Sequence, residues 1–252
     1  MQFKDHFSGH SVDYAKYRPH YPSELFAYLA SLTEEHELAW DCATGSGQAA
    51  QGLAQGYRRV IATDASQAQL DNATANERVE YRQARAEASG LESATVDLTT
   101  VAQALHWLSL ERFFAEVRRV LKPRGVFAAW VYNLLSISAE LDPPINRFYG
   151  ETVGPYWPPE RILVEEKYAT IPFPFEELRA PQQFYIEASW SLFDLLGYLR
   201  TWSATQRFIK ERGFDPVTEG LADELLPLWG DPQAERQISW PIYLRVGRNS
   251  AA

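Results

Sequence analysis

A short glycine-rich segment has the residue types and spacing of a ligand-binding turn. It reads DCATGSGQ over residues 41–48. Gly45 and Gly47 would let the backbone approach a ligand at positions where a Cβ atom would collide with it. Asp64 follows at the end of the next apolar run, and its carboxylate could accept hydrogen bonds from both hydroxyls of a ribose. The segment therefore predicts a site for an adenosine-containing cofactor.

The spacing of this segment fits two cofactor classes. Gly45-x-Gly47-x-x-Ala50 matches the dinucleotide fingerprint, in which a pyrophosphate lies over a helix N-terminus. S-adenosylmethionine carries no phosphate and offers an amino-acid end and a sulfonium. Asp41 suits this second ligand, because a carboxylate at a strand end can receive an ammonium group directly or through water. The glycines by themselves leave NAD and S-adenosylmethionine both open.

Hydrophobic periodicity predicts the elements that must hold this turn. Alternating and continuous apolar runs predict strands, and spacing at three and four residues predicts helices. The predicted strands are 38–42, 59–63, 79–83, 95–103, 125–132, 183–188 and 238–246. The predicted helices of the first half are one opening at Ser23, 48–55, 67–75 and one from Ser109 that stops at Pro123. Helices alternating with strands imply right-handed crossovers, so we expect an α/β fold with a doubly wound, mostly parallel, seven-stranded Rossmann-like sheet.

The second half of the chain has a different pattern. Proline pairs interrupt short helical stretches, and the three helices predicted near its end cover 191–201, 203–212 and 216–228. We expect a single domain, 1–252, in which an N-terminal helical segment and helical insertions form a cap over the sheet. Its predicted parts are the N-terminal cap segment 1–34, the cofactor-binding core 35–132, the cap insertions 133–182 and 190–232, and the final strands 183–189 and 235–247. Pro241 suggests an edge or a bulge in the last strand.

Composition restricts the kinds of partner. A net charge of −9 opposes a nucleic-acid partner, because such proteins neutralise phosphates with clustered lysine and arginine. No apolar run is long enough to span a bilayer, and the N-terminus lacks the apolar region of a secretory signal, so we expect no membrane partner and a cytoplasmic protein. The five histidines show no metal-ligand spacing, and no metal is expected. These features favour a small-molecule substrate and say nothing about oligomeric state.

Five motifs in order extend the pattern beyond the glycines. They are DCATGSGQ, VIATDAS, AEASGL, DLTTVAQALHWL and RRVLKPRGVFAAW. Together they resemble the class I S-adenosylmethionine-dependent methyltransferases of the type-11 domain, over residues 35–132. The outer motifs YxxYRPxYP, QALHW, TWSA and SWPIYL are similar to small-molecule methyltransferases related to trans-aconitate methyltransferases.

The resemblance implies a role for each matching position in binding S-adenosylmethionine. The methionine part would be surrounded by Asp41, Ala43, Gly45 and Gly47, and the ribose would be bound by Asp64. The adenosine would be flanked by Ala65 and Ser66, the adenine by Ala86 and Glu87, and the methyl donor by Gln103 and Ala104. Two positions depart from the family pattern, since Ala43 and Arg124 stand where glycines are usual.

Two polar residues are the candidates for catalysis. His106 directly follows the fourth predicted strand, where it could be a general base for a hydroxyl or amine acceptor or a hydrogen-bonded structural residue. Arg18 could clamp a carboxylate of the cofactor or the substrate, or pair with a local acid. The candidate substrate-binding residues are Tyr14, Tyr17, Tyr21, Trp107, Trp130, Tyr132, Tyr198 and Trp202, although aromatic side chains at such spacings more often fill a core.

The sequence as a whole predicts transfer of a methyl group from S-adenosylmethionine to a small-molecule acceptor, with a carboxylic acid as one option. Two alternatives remain at this stage. An NAD-dependent oxidoreductase would share the fold and use the same glycines and Asp64. A non-catalytic protein that binds an adenosine cofactor would keep the fold without the chemistry.

Overall fold

Eight strands form one mixed sheet in the computed structural model, which describes residues 19–250. The strands are β1 (Leu38–Cys42), β2 (Arg59–Asp64), β3 (Val79–Gln83), β4 (Val96–Ala102), β5 (Leu121–Tyr132), β6 (Glu176–Leu178), β7 (Phe184–Trp190) and β8 (Arg236–Arg248). The helices are α1 (Ser23–Ser31), α2 (Gln48–Leu53), α3 (Gln67–Leu70), α4 (Leu110–Val120), α5 (Asp142–Arg147), α6 (Arg161–Glu165), α7 (Leu192–Arg200), α8 (Ser203–Arg212) and α9 (Ala222–Trp229). Short 3₁₀ turns cover Leu105–Trp107 and Gly154–Tyr156, and π-helical turns cover Phe148–Thr152 and Val217–Leu221.

The order of the strands is β3-β2-β1-β4-β5-β8-β6, and β7 also pairs with β8. The first five strands are parallel, and β8 runs antiparallel to β5. Both β6 and β7 pair with the side of β8 that faces away from β5, at residues 246–248 and 236–242. They therefore lie end to end, and the sheet is seven positions wide. The predicted doubly wound, seven-stranded sheet is confirmed.

The strand order reverses between β1 and β4, which are neighbours although two strands separate them in sequence. In doubly wound sheets the crevice at such a reversal, at the carboxyl ends of the strands, is where ligands bind. The glycine-rich turn follows β1 and the Gln103–Trp107 segment follows β4. The fold therefore brings both predicted site segments to the same edge.

Several element boundaries differ from the sequence predictions, most of them by one to three residues. β5 begins at Leu121 instead of 125, because the residues around Pro123 form a bulge between the Val96↔Leu121 and Leu98↔Val126 pairs, where a missing N–H is tolerated. The helix expected to reach residue 75 ends at Leu70. The short strand β6 was not predicted. Pro241 is paired with Tyr185 of β7 and lies just beyond the stretch of β8 that pairs with β5, so the predicted edge is limited to the β5 side.

Apolar residues cover both faces of the sheet, because successive side chains on a strand point to opposite faces. Ala39, Val60 and Leu98 pack with α1 and α2 on one face, and Trp40, Ile61 and Phe127 pack with α4 on the other. This double burial holds the strand ends, and thus the site, in a fixed arrangement. No helix within residues 19–250 has the length and apolar character needed to cross a bilayer.

Candidate functional site

The glycine-rich turn between β1 and α2 has a left-handed backbone at alternate residues. The φ angles are +54° at Ala43, +58° at Gly45 and +86° at Gly47. A Cβ atom on Gly47 would lie 2.2 Å from the hydroxyl oxygen of Tyr81, so packing against Tyr81 requires that glycine. A Cβ atom on Gly45 would find nothing closer than 3.8 Å. Residues 19–250 thus leave the space over Gly45 unfilled, which fits a ligand lying against this backbone.

Asp64 ends β2 beside the turn and holds it from the adjacent strand. Its Oδ2 accepts a hydrogen bond from the backbone N–H of Gly45 at 2.9 Å, and its Oδ1 accepts one from Ser66 at 2.8 Å. Carboxylate oxygens can accept more than one hydrogen bond each. Asp64 can therefore fix the turn and also accept from ribose hydroxyls.

Asp41 is fully buried beneath the turn. Thr100 donates a hydrogen bond to its Oδ1 at 2.7 Å, and Thr44 donates one to Oδ2. Burial raises the pKa of Asp41 to about 6, against the two threonine hydroxyls, which lower it, and neighbouring Asp64 adds to the rise. The carboxylate thus lies under the turn, where it orients Thr44 and supplies negative charge from below.

The remaining cofactor candidates lie along the same sheet edge. Ala65 and Ser66 follow β2, and Ala86 and Glu87 follow β3, where the Glu87 carboxylate accepts from the N–H of Ser109 before α4 at 3.2 Å. Gln103 follows β4 with a φ of +56°, and its side chain donates to the carbonyl oxygen of Tyr132 at 2.9 Å. Ala104 comes next. The structure thus brings these candidates to the carboxyl ends of β2, β3 and β4, which together with β1 are four adjacent strands.

The two departures from the family pattern keep the backbone that a glycine would adopt. Ala43 and Arg124 have φ angles of +54° and +64°. A left-handed conformation costs a non-glycine residue about 1–2 kcal/mol. The turn therefore keeps its shape at the expense of stability.

Ala43→Gly should raise the free energy of unfolding by about 0.5–1 kcal/mol, because release of the left-handed strain exceeds the added entropy of the unfolded chain. Urea denaturation measures this change. Ala94 is an exposed turn residue with the same φ of +54°, and Ala94→Gly is the matched control, with a similar gain expected. A loss of stability in both variants would show that strain is not the cause.

Two adjoining cavities lie between the ends of β4 and β5 and the segments 133–165 and 198–203. The inner cavity has a volume of about 90 Å³ and the outer one about 550 Å³. Of the predicted residues, the inner cavity is lined by Gln103, His106, Trp107, Tyr132, Tyr198 and Trp202. The cavities share Asn133, Trp157, Pro158 and Arg161. A small acceptor could reach the cofactor edge here.

His106 lines the inner cavity and is held from behind by the phenol of Tyr168. Its Nδ1 lies 2.8 Å from the Tyr168 hydroxyl oxygen. Burial, together with the positive charge of Arg161, lowers the pKa of His106 to about 3. The imidazole is thus neutral at physiological pH.

Arg161 is the main cavity residue that the sequence did not indicate. Its Nε donates to the hydroxyl of Tyr149 at 2.9 Å, and its Nη2 donates to Oδ1 of Asn133 at 2.7 Å. The guanidinium carbon lies 4.5 Å from the ring centre of Trp157. Within the part of the chain that the structure describes, no carboxylate forms an ion pair with it. In the sequence, the one signal was an arginine just after the Trp157-Pro158-Pro159 turn.

Some of the predicted substrate residues do not reach the cavities. Trp130 is fully buried and packs edge-on against Tyr21, with 5.4 Å between ring centres. Tyr21 also packs against Tyr132, a residue of the cavity wall, but does not itself line either cavity within residues 19–250. Arg18, Tyr14 and Tyr17 lie outside the described residues.

Comparison with known proteins identifies the family of this chain. Residues 40–129 match the family described as "Methyltransferase domain". A protein of Dictyostelium discoideum classed as a methyltransferase is 35% identical over 98% of this chain and 96% of its own length. A Saccharomyces cerevisiae protein classed as an S-adenosylmethionine-dependent methyltransferase is 31% identical over 48% of this chain and 45% of its own. A solved structure from Anaeromyxobacter dehalogenans, described as a type II methyltransferase, aligns with a TM-score of 0.88 and 44% identity over 93% of this chain and 99% of its own.

Proposed function

Because this chain belongs to the class I S-adenosylmethionine-dependent methyltransferases, we propose that it methylates a small-molecule acceptor bearing a carboxylate, bound between the sheet edge and the cap. S-adenosylmethionine supplies the methyl group, and on transfer its sulfonium–carbon bond breaks, a bond to the acceptor forms and S-adenosylhomocysteine is released. The observation that carries the carboxylate is Arg161, a cavity-lining cation with only neutral partners among the described residues.

The residues of the turn fit this cofactor. Gly45 leaves its backbone open to a ligand, and Asp64 stands beside it with carboxylate oxygens that can accept from ribose hydroxyls. Asp41 and Asp64 place two acidic groups near each other under and beside the turn, which favours a cationic ligand. We assign Ala43 and Gly47 to the shape of the turn, and Ala65, Ser66, Ala86, Glu87, Gln103 and Ala104 to the surrounding wall.

A carboxylate is the anion that matches the cavity best. A half-buried cation is costly unless an anion pairs with it, and the planar guanidinium suits a carboxylate. Nε of Arg161 donates to Tyr149 and its Nη2 donates to Asn133, and these two hydrogen bonds fix the plane of the guanidinium. Its Nη1 is then available to donate to the carboxylate of the acceptor. Glu165, which lines the outer cavity, accepts instead from the Tyr149 hydroxyl at 2.8 Å. The single positive charge of Arg161 balances the single negative charge of one carboxylate, whereas a phosphate would carry more negative charge than Arg161 can balance.

Two further features support a small acidic acceptor. The outer motifs resemble small-molecule methyltransferases related to trans-aconitate methyltransferases, which fits an acid. The net charge of −9 disfavours a nucleic acid. Methyl transfer also needs the reacting atoms held close and away from water, and Trp107, Tyr132 and Trp202 provide an apolar wall for this.

The test is a labelled-methyl assay with a panel of small carboxylic acids, each paired with its neutral amide. We expect transfer to one or more acids and at least tenfold less to the matching amide, because the amide cannot pair with Arg161. Turnover of amines or phenols that lack a carboxylate, with none of the acids, would refute the proposed acceptor class.

Asp64→Asn should weaken binding of S-adenosylhomocysteine by roughly 1–3 kcal/mol, through loss of hydrogen bonds to a charged acceptor. Asparagine is the better test than alanine, because its carbonyl oxygen can still accept from the N–H of Gly45, and only the bond from the N–H of Ser66 is lost. Calorimetric titration measures the affinity. Asp71→Asn, at an exposed position after α3, is the control for lost surface charge. Equal affinity in wild type and Asp64→Asn would exclude Asp64 from the ribose site.

A further inference from the structure

His106 faces the cavity with one ring nitrogen and is held through the other. Nδ1 bonds to Tyr168, whereas Nε2 bonds to none of the residues 19–250. The ring lines the inner cavity beside Arg161. The proton on this neutral ring can lie on either nitrogen, and its position decides whether Nε2 accepts or donates a hydrogen bond.

The phenol of Tyr168 determines which ring nitrogen of His106 carries the proton. Its side chain is fully buried, and its backbone has a left-handed φ of +59° next to Lys167 at +58°. Burial raises the pKa of the phenol well above its ordinary value, and the nearby backbone N–H groups of His106 and Leu105 oppose that rise without cancelling it. The phenol therefore keeps its proton.

The phenol O–H of Tyr168 needs an acceptor because the side chain is fully buried. Among residues 19–250, the hydrogen-bonding partner of this hydroxyl is Nδ1 of His106, at 2.8 Å. A proton on Nδ1 would leave the phenol O–H without an acceptor in this contact, whereas an unprotonated Nδ1 accepts from it.

We propose that Tyr168 donates to Nδ1 and so holds His106 as the Nε2–H tautomer, a fixed hydrogen-bond donor toward the acceptor and not a general base. Tyr168 is then a positioning residue, and Nε2–H and Arg161 form a two-point site for an acceptor oxygen. The part that concerns the acceptor rests on the proposed function. The tautomer itself does not.

The first test needs no acceptor. Long-range ¹⁵N–¹H NMR of protein with labelled histidine reports which ring nitrogen carries the proton, and the signals that vanish in His106→Gln identify this ring. We expect the Nε2–H form. The ring should not titrate between about pH 5 and pH 8, because burial and the positive charge of Arg161 lower its pKa to about 3 and the phenol of Tyr168 stays neutral. A predominant Nδ1–H form would overturn the proposal.

Tyr168→Phe should release the tautomer, so that an Nδ1–H population appears. Tyr57→Phe is the matched control, because it also removes a buried phenol hydroxyl, bonded to Thr33 far from His106. His106 signals should not change in that variant. An unchanged Nε2–H form in a folded Tyr168→Phe protein would show that Tyr168 does not determine it.

The second test uses an acid that the labelled-methyl assay identifies. Glutamine can place an N–H where Nε2–H lies, whereas leucine cannot. We expect His106→Gln to keep kcat/KM within about tenfold and His106→Leu to lose more, with a flat pH profile in the wild type. If His106 were a general base, both variants would lose about 10²- to 10⁴-fold. Nε2–H by NMR without methyl transfer to any acid would reject the proposed function and leave the tautomer standing.

Discussion

Arg161→Leu should lower kcat/KM for a carboxylate acceptor by roughly 30- to 5,000-fold, which corresponds to the 2–5 kcal/mol lost when one partner of a desolvated charge pair is removed. The affinity for S-adenosylhomocysteine should not change, because Arg161 lies in the cap side of the cavity and not at the glycine-rich turn. Initial rates with the identified acid and its amide measure the first effect, and calorimetry measures the second.

Two other variants test whether the effect comes from the guanidinium of Arg161 itself. Arg161→Lys keeps the charge but cannot donate to both Tyr149 and Asn133 in one plane, so an intermediate loss is expected. Arg147→Leu is the control, since Arg147 forms an exposed ion pair with Glu224 in the same part of the chain. A wild-type KM for the acid in Arg161→Leu would place the carboxylate elsewhere.

Asp41→Asn should stabilise the free protein by about 3 kcal/mol at about pH 7.5. Burial raises the pKa of Asp41 from 3.8 to about 6 in the folded state. The folded state therefore binds this proton more tightly than the unfolded state, so the contribution to stability is present below about pH 4 and is lost as the pH rises through about 6. Asparagine is neutral, like the protonated carboxyl of Asp41, and does not titrate. The decline in the free energy of unfolding that we expect for the wild type between about pH 4 and pH 6 should therefore be smaller in Asp41→Asn. Urea denaturation across this range measures both effects.

The control for this effect is a buried carboxylate with a cationic partner. Asp97 lies 2.6 Å from Nζ of Lys122 and accepts from the N–H groups of Glu37 and Leu38. Asp97→Asn should therefore destabilise the protein where Asp41→Asn stabilises it. A loss of stability in Asp41→Asn at about pH 7.5 would mean that its charge is well compensated.

Asp41 also has an expected effect on the cofactor. A negative charge kept under the turn at a cost in stability is typical of a functional site. Asp41→Asn should weaken binding of the cation S-adenosylmethionine more than binding of S-adenosylhomocysteine, whose sulfur is neutral. Calorimetric titration with both ligands distinguishes this from a general disturbance of the turn.

The cofactor half of the protein could be predicted from sequence because its determinants are local. β1 has the predicted bounds, and Asp64 ends β2 beside the turn, since apolar runs mark buried strands and parallel strands carry ligands at their carboxyl ends. The family resemblance then selected S-adenosylmethionine over NAD. Periodicity could not find the bulge around Pro123 or the three-residue β6, because neither is long enough to show a repeat.

The cavity beside the cofactor edge was decided by the tertiary structure. His106, Asn133 and Arg161 come from three separate segments, and only the packing of the cap against the sheet edge brings them to one cavity. The sequence left His106 open as a base or a structural residue, because the partner that determines its proton, Tyr168, lies 62 residues further along the chain. Likewise, Trp130 looked like a candidate for the pocket until the fold placed it in the core. Contacts between distant segments have no sequence period, so the sequence by itself determined the fold and the cofactor, and the tertiary structure decided which side chains line the cavity beside the cofactor edge.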